Sequence, residues 1–155
     1  MKAELIYLWI NQDEHGCFHQ EGFNFSPHYR VSYNQDTKEL IIKQLDQLNV
    51  FQNDHIANVS AVIGENGTGK TTLLEYLTTF DDVPLSEEQR PEYQSFRRNW
   101  NELHSFIAVY LDHEDDSRRI INITSNTISC DGESFEPLSG SEYRAGHNVL
   151  EKISR

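Results

Sequence analysis

The stretch Val59-Ser60-Ala61-Val62-Ile63-Gly64-Glu65-Asn66-Gly67-Thr68-Gly69-Lys70-Thr71-Thr72-Leu73-Leu74-Glu75 decides how the rest of the chain is read. Val59–Ile63 is apolar and rich in β-branched residues, which predicts a strand, and it runs straight into Gly64, Gly67 and Gly69. Beyond the glycines, Leu73, Leu74 and Leu77 fall at helical spacing and predict a helix over Thr71–Phe80 that stops near Asp81–Pro84. A strand, a glycine-rich turn and a helix in that order bring inward-turned amides and a helix N-terminus to one place. That is a cradle for phosphate oxygens.

Gly64 to Thr71 match the G-x-x-x-x-G-K-[ST] spacing, the Walker A pattern, at every fixed position. Gly64, Glu65, Asn66, Gly67, Thr68, Gly69, Lys70, Thr71 and Thr72 are therefore the candidate nucleotide-binding residues. Lys70 is expected to reach the β- and γ-phosphates, Thr71 to place its hydroxyl on magnesium, and Thr72 to support the α-phosphate. The expected ligand is ATP with magnesium. A glycine-rich turn with no ligand is the bland alternative, and it requires neither the lysine nor the flanking elements.

Ahead of this stretch, Glu4–Ile10, Tyr29–Tyr33 and Glu39–Lys43 are short apolar runs bounded by polar residues and predict strands. Asn34–Lys38 suits a hairpin turn, while the segment carrying Gly16, Gly22 and Pro27 reads as a loop. After it, Phe96–Leu103 predicts a helix that Pro91 keeps from starting early. Ser105–Leu111, Arg118–Thr124 and Thr127–Cys130 predict strands of an antiparallel meander, with turns at His113–Ser117, Ser125–Asn126 and Asp131–Gly132.

A length of 155 residues with 37 % hydrophobic side chains suits one folded domain. Against 25 acidic side chains stand 13 basic ones, a formal net charge of −12, so the surface as a whole does not attract nucleic acid. Arg97 with Arg98 and Arg118 with Arg119 are the dense basic groups, and each pair reads first as solvated surface. Cys17 and Cys130 have no zinc or disulfide spacing, which fits a reducing, cytoplasmic setting. The apolar start Leu5–Ile10 is too short for a membrane span or signal, and the histidines lack metal-site spacing.

The wording of Val59–Glu75 resembles the "IxGENGxGKTxLLE" form of the ATP-binding-cassette class, and within it the SMC, RecF and related ATPase heads. Strand-forming residues before the loop strengthen that resemblance. Ile6-Tyr7-Leu8-Trp9-Ile10 followed by Gly22-Phe23-Asn24-Phe25-Ser26 is similar to the openings of prokaryotic AAA-type ATPases of antiphage-defence and restriction modules. The resemblance implies an α/β P-loop NTPase fold, like an ATP-binding-cassette head, with an N-terminal antiparallel β subdomain and an incomplete core sheet. Residues 1–155 would then be the N-terminal lobe of such a head, a fragment or one half of a split one. It further implies ATP hydrolysis in the full assembly, a second head in a homodimer, an effector subunit or domain, and DNA reached through the assembly, with no membrane partner. An adenine or ribose contact is expected from the loop Asn11–Gly22.

The chain departs from that pattern in two places. The nearest Walker B candidate, Phe106 to Glu114, separates Asp112 from Glu114 by His113 and continues into Asp115 and Asp116, so a strand ending in a solvated turn is the favoured reading. Asp112 stands as a candidate magnesium ligand. Leu138-Ser139-Gly140-Ser141-Glu142 resembles the "LSGGE" signature but lacks its second glycine and follows the loop closely. Two other classes stay open. One is a compact small-molecule kinase using Asp112 or Glu114 with Arg97, Arg98, Arg118 or Arg119; the other is a non-catalytic nucleotide sensor.

Overall fold

The structure, a computed structural model, describes residues 3–13, 15–46, 59–78 and 105–137. The strands are β1 (Ala3–Gln12), β2 (His19–Asn24), β3 (Tyr29–Asn34), β4 (Glu39–Gln44), β5 (Ser105–Asp112), β6 (Arg118–Ile123), β7 (Ile128–Cys130) and β8 (Glu133–Phe135). Between β4 and β5 in the chain lies α1 (Lys70–Thr78). The strands form two four-stranded sheets, ordered β2-β1-β5-β6 and β3-β4-β7-β8.

β1 and β5 form the middle of the first sheet, antiparallel, with Leu8 opposite Ala108 and Ile10 opposite Phe106. Their sequences are nearly unbroken apolar runs rather than alternating ones because both faces are covered, which is the pattern of a doubly buried strand. On one face Trp9, Ile107 and Val109 pack with Val31, Leu40 and Ile128 of the second sheet. On the other, Leu8, Ile10, Phe106 and Ala108 pack with Leu73 and Tyr76 of α1. The result is three layers, with α1 and the second sheet on either side of the first sheet. A register shift between Leu5 and Tyr7 leaves Ile6 as an extra residue on β1.

Asn24, the last residue of β2, ties the two sheets at their edge. Its side-chain amide donates to Val31 O at 3.0 Å while its Oδ1 accepts Val31 N–H at 2.7 Å, so one side chain mimics a strand partner. Trp9 and Tyr33 meet edge-on across the sheets, centroids 4.7 Å apart.

The expected α/β P-loop NTPase fold is not what the chain adopts. Half of the described residues are strand, and the helix of nine residues is the one helix among them. The physical reason lies just before the loop. Val59–Ile63 joins neither sheet: Val59 is 58 % and Ile63 92 % exposed, and of its β-branched side chains Val62 alone packs against the core.

Two local readings change and the turn at Asp131-Gly132 holds. His19–Asn24, read as loop, is β2, held by pairing to β1 rather than by apolar patterning of its own. The meander ends at β6, because β7 crosses to the second sheet and pairs parallel with β4. Asp131-Gly132, with φ of 51° and 83°, makes the tight turn into β8. The helix over Thr71–Phe80 is found as Lys70–Thr78. Phe80, the stop at Asp81–Pro84, the helix Phe96–Leu103 with Arg97 and Arg98, and the signature-like Leu138–Glu142 lie outside the described residues.

Candidate functional site

The loop from Gly64 to Gly69 has the backbone its sequence calls for. Gly67 and Gly69 hold φ of 83° and 86°, a left-handed conformation that residues with a Cβ adopt only at a cost. Thr68 closes the turn by donating its hydroxyl to Glu65 O at 2.8 Å. Lys70 folds back over it, its ammonium donating to Gly64 O at 2.7 Å and to Glu65 O.

The first rung of α1 is Leu73 N–H to Gly69 O, 2.9 Å. The amides of Lys70, Thr71 and Thr72 therefore precede the ladder and have no intrahelical acceptor. No acidic side chain occupies the first turn, so the positive end of the helix is not neutralised from within. Glu65, Asn66, Gly67, Thr68 and Thr71 are exposed. Thr72 is buried, and its hydroxyl donates to Cys17 Sγ at 3.7 Å. Thr71 is thus exposed to solvent, whereas Thr72 ties the helix to the β1–β2 loop.

That loop is the part of the site that motif reading left without a named residue. Asp13 is 2 % exposed; its Oδ1 accepts Phe18 N–H at 2.6 Å and its Oδ2 accepts His15 N–H at 3.0 Å. Gly16 turns back with its N–H on Asp13 O, at φ of 66°. Burial pushes the Asp13 carboxyl upward, but the amides of Phe18, Cys17 and His15 outweigh it and hold it below the usual carboxylate range. Phe18, edge-on to Phe23 with centroids 5.2 Å apart, carries its ring to Gly69. Tyr76 sends its hydroxyl to Gln12 O at 3.5 Å; burial, reinforced by the Asp13 charge, pushes that phenol upward. The available signal was Asp13 with Gly16 three positions on, a side chain that caps turns beside a residue that makes them.

The structure does not bring Asp112 to the loop. Asp112 pairs in register with Ala3, and Gln12 with Ser105, so Asp112 lies at the end of β5 remote from α1's N-terminus. At about 3.3 Å per residue the separation along the strand is roughly 20 Å. Its carboxylate is buried against Arg119, Oδ2 to Nη2 2.8 Å, and its Oδ1 accepts Glu114 N–H at 3.0 Å. His113 meets Glu4 at 2.8 Å, Asp115 accepts Ser117 N–H at 2.9 Å, and Arg118 pairs with Asp131 at 2.8 Å. The acidic run is a structured turn after β5, and Arg118 and Arg119, which open β6, pair with Asp131 and Asp112 at this end of the sheet. Cys130 is buried and Cys17 exposed, both with free thiols. Among the described residues no helix is long and apolar enough to cross a membrane.

No protein-family model, curated protein or solved structure matches this chain.

Proposed function

We propose that this chain binds the triphosphate of ATP, with magnesium, through Gly64–Thr71, as the nucleotide-binding part of an ATPase assembly of the SMC or ABC type in antiphage defence or DNA repair. The assembly role rests on the wording of Val59–Glu75 alone. The observation that carries phosphate binding is local. The amides opening α1, the Lys70 ammonium and the exposed Thr71 side chain belong to one glycine-rich turn whose Gly67 and Gly69 have positive φ, the backbone that suits a phosphate nest. In exchange for two exposed carbonyls, Lys70 would take phosphate oxygens, a charge-assisted bond of greater strength. The donor set fits magnesium in its usual manner, with one hydroxyl from the protein and the remaining positions filled by phosphate oxygens and water. Bound magnesium would neutralise phosphate charge beside Thr71.

Binding without turnover by this chain is the form the observations favour, because Asp112 is committed to Arg119 at the far end of β5. A compact kinase built on Asp112 or Glu114 has no support from that placement. The test is thermal unfolding with magnesium and ATP, ADP or AMP, together with steady-state phosphate release. Protection should increase with the number of phosphates, reaching about 2.7 kcal/mol at a hundredfold excess over Kd. Appreciable turnover that is lost in Lys70→Ala would instead make the chain a complete enzyme.

A further inference from the structure

Three contacts that Gly69 and the helix after it make with Gln12, Cys17 and Phe18 fall on one stripe. Gly69 meets Phe18, Thr72 meets Cys17 and Tyr76 meets Gln12. Spacings of three and four place Gly69, Thr72 and Tyr76 on the same face of α1, one above the other. The β1–β2 loop is therefore the seat on which the helix N-terminus rests, and that loop has little apolar substance beyond Phe18. Its shape is set by one buried carboxylate that gathers amides from the far side of the turn, at His15 and Phe18.

We infer that Asp13 is a positioning residue for phosphate binding: by holding the amides of His15 and Phe18 on its carboxylate it seats Phe18 against Gly69 and Cys17 against Thr72, and so fixes the loop amides and Lys70. The inference rests on the phosphate-binding role proposed above. Asp13 touches no ligand. It acts through Phe18, whose ring lies so close to Gly69 that it leaves no room for a Cβ there. An amide at position 13 would place an NH2 where one of the two converging N–H groups now finds an acceptor. The turn would open, and the helix N-terminus would lose its stop. The low carboxyl pKa agrees with this geometry, since the ionised form is the one the amides hold.

The test compares the dissociation constant for MgATP in the wild-type chain, Asp13→Asn and Phe18→Leu. Asn122→Ala serves as a destabilised control, because Asn122 is buried and bonded to Asn126 O and Phe135 O, with no part in the loop. Asp13→Asn and Phe18→Leu should each weaken MgATP at least tenfold, while the control, at a matched loss of Tm, stays within twofold of wild type. A second readout needs no nucleotide: with Thr72→Cys in place, oxidation should trap a disulfide to Cys17, and adding Asp13→Asn should slow that trapping at least threefold. Phe18→Leu keeps the affinity test available if Asp13→Asn does not fold. Wild-type affinity in Asp13→Asn, a loss no greater than that of the control, or unchanged trapping overturns the assignment. A wild-type chain that takes up no MgATP overturns the phosphate-binding role and the assignment with it, whereas wild-type binding with an indifferent Asp13→Asn overturns the assignment alone.

Discussion

The ring of Phe18 lies so close to Gly69 that a Cβ on the glycine would stand 2.8 Å from Cζ, and 3.1 Å from the Cys17 Cβ. Two constraints, one conformational and one steric, therefore meet at a single position of the glycine-rich loop. At Gly67 the backbone has the same hand, φ 83°, but a Cβ would meet nothing within 4 Å.

The pair of glycines gives a graded expectation. Gly67→Ala carries the left-handed penalty alone, about 1–2 kcal/mol. Gly69→Ala adds a clash with a buried ring and should lose about 1–3 kcal/mol more. Combining Phe18→Ala with Gly69→Ala should cost less than the sum of the two single changes, since the ring can clash only once. Urea unfolding of wild type and the four variants measures this; equal losses in the two glycine variants would contradict the packing.

Asp13 should contribute stability that disappears in acid. Its folded-state pKa is depressed, so the contribution is fully present above the unfolded value of about 3.9 and is lost as pH falls through the folded value. Asp13→Asn cannot ionise. The stability gap between wild type and Asp13→Asn should be constant from about pH 5 to pH 7 and should narrow below about pH 4. A gap independent of pH down to about 3 would mean that the charge does not hold the loop.

Arg119 is buried on Asp112, both less than a tenth exposed. Arg119→Met strands a carboxylate in the interior and should cost about 3–5 kcal/mol, most of it recovered when Asp112→Leu is added. Asp112→Asn should lower Tm and leave the MgATP dissociation constant unchanged, given the separation along β5. A magnesium-dependent loss of affinity in Asp112→Asn would restore the carboxylate to the metal site.

Asn24 should matter more than its half-buried position suggests. Asn24→Ala leaves Val31 N–H and C=O without their partner at the sheet edge and should cost about 1–3 kcal/mol, read by urea unfolding. A loss under about 0.5 kcal/mol would mean that water replaces the clamp.

Much of the local structure was legible because its signals were local. The loop, the helix and the strands β1, β3, β4, β5 and β6 announce themselves through glycine spacing, leucine periodicity and apolar runs. What was not legible depended on distant partners. β2 is a strand through its pairing with β1, not through its own mostly exposed side chains. Val59–Ile63 has the residues of a strand and no sheet to join among the described residues. The architecture turned on that difference, since one unpaired run separates an α/β expectation from the two-sheet structure. In the site, Lys70 and Thr71 follow from the motif, but Asp13 and Phe18 reach the helix across more than fifty residues of chain, and no spacing reveals such a contact.

The central claim is that Gly64–Thr71 binds a triphosphate, and titration calorimetry of the wild-type chain and Lys70→Ala with MgATP tests it most directly. Lys70 makes exposed hydrogen bonds to backbone carbonyls, so its removal should change unfolding free energy by no more than about 1 kcal/mol. The account predicts saturable binding at one site per chain, weakened at least tenfold in a folded Lys70→Ala; absent binding, or equal binding by both proteins, would contradict it.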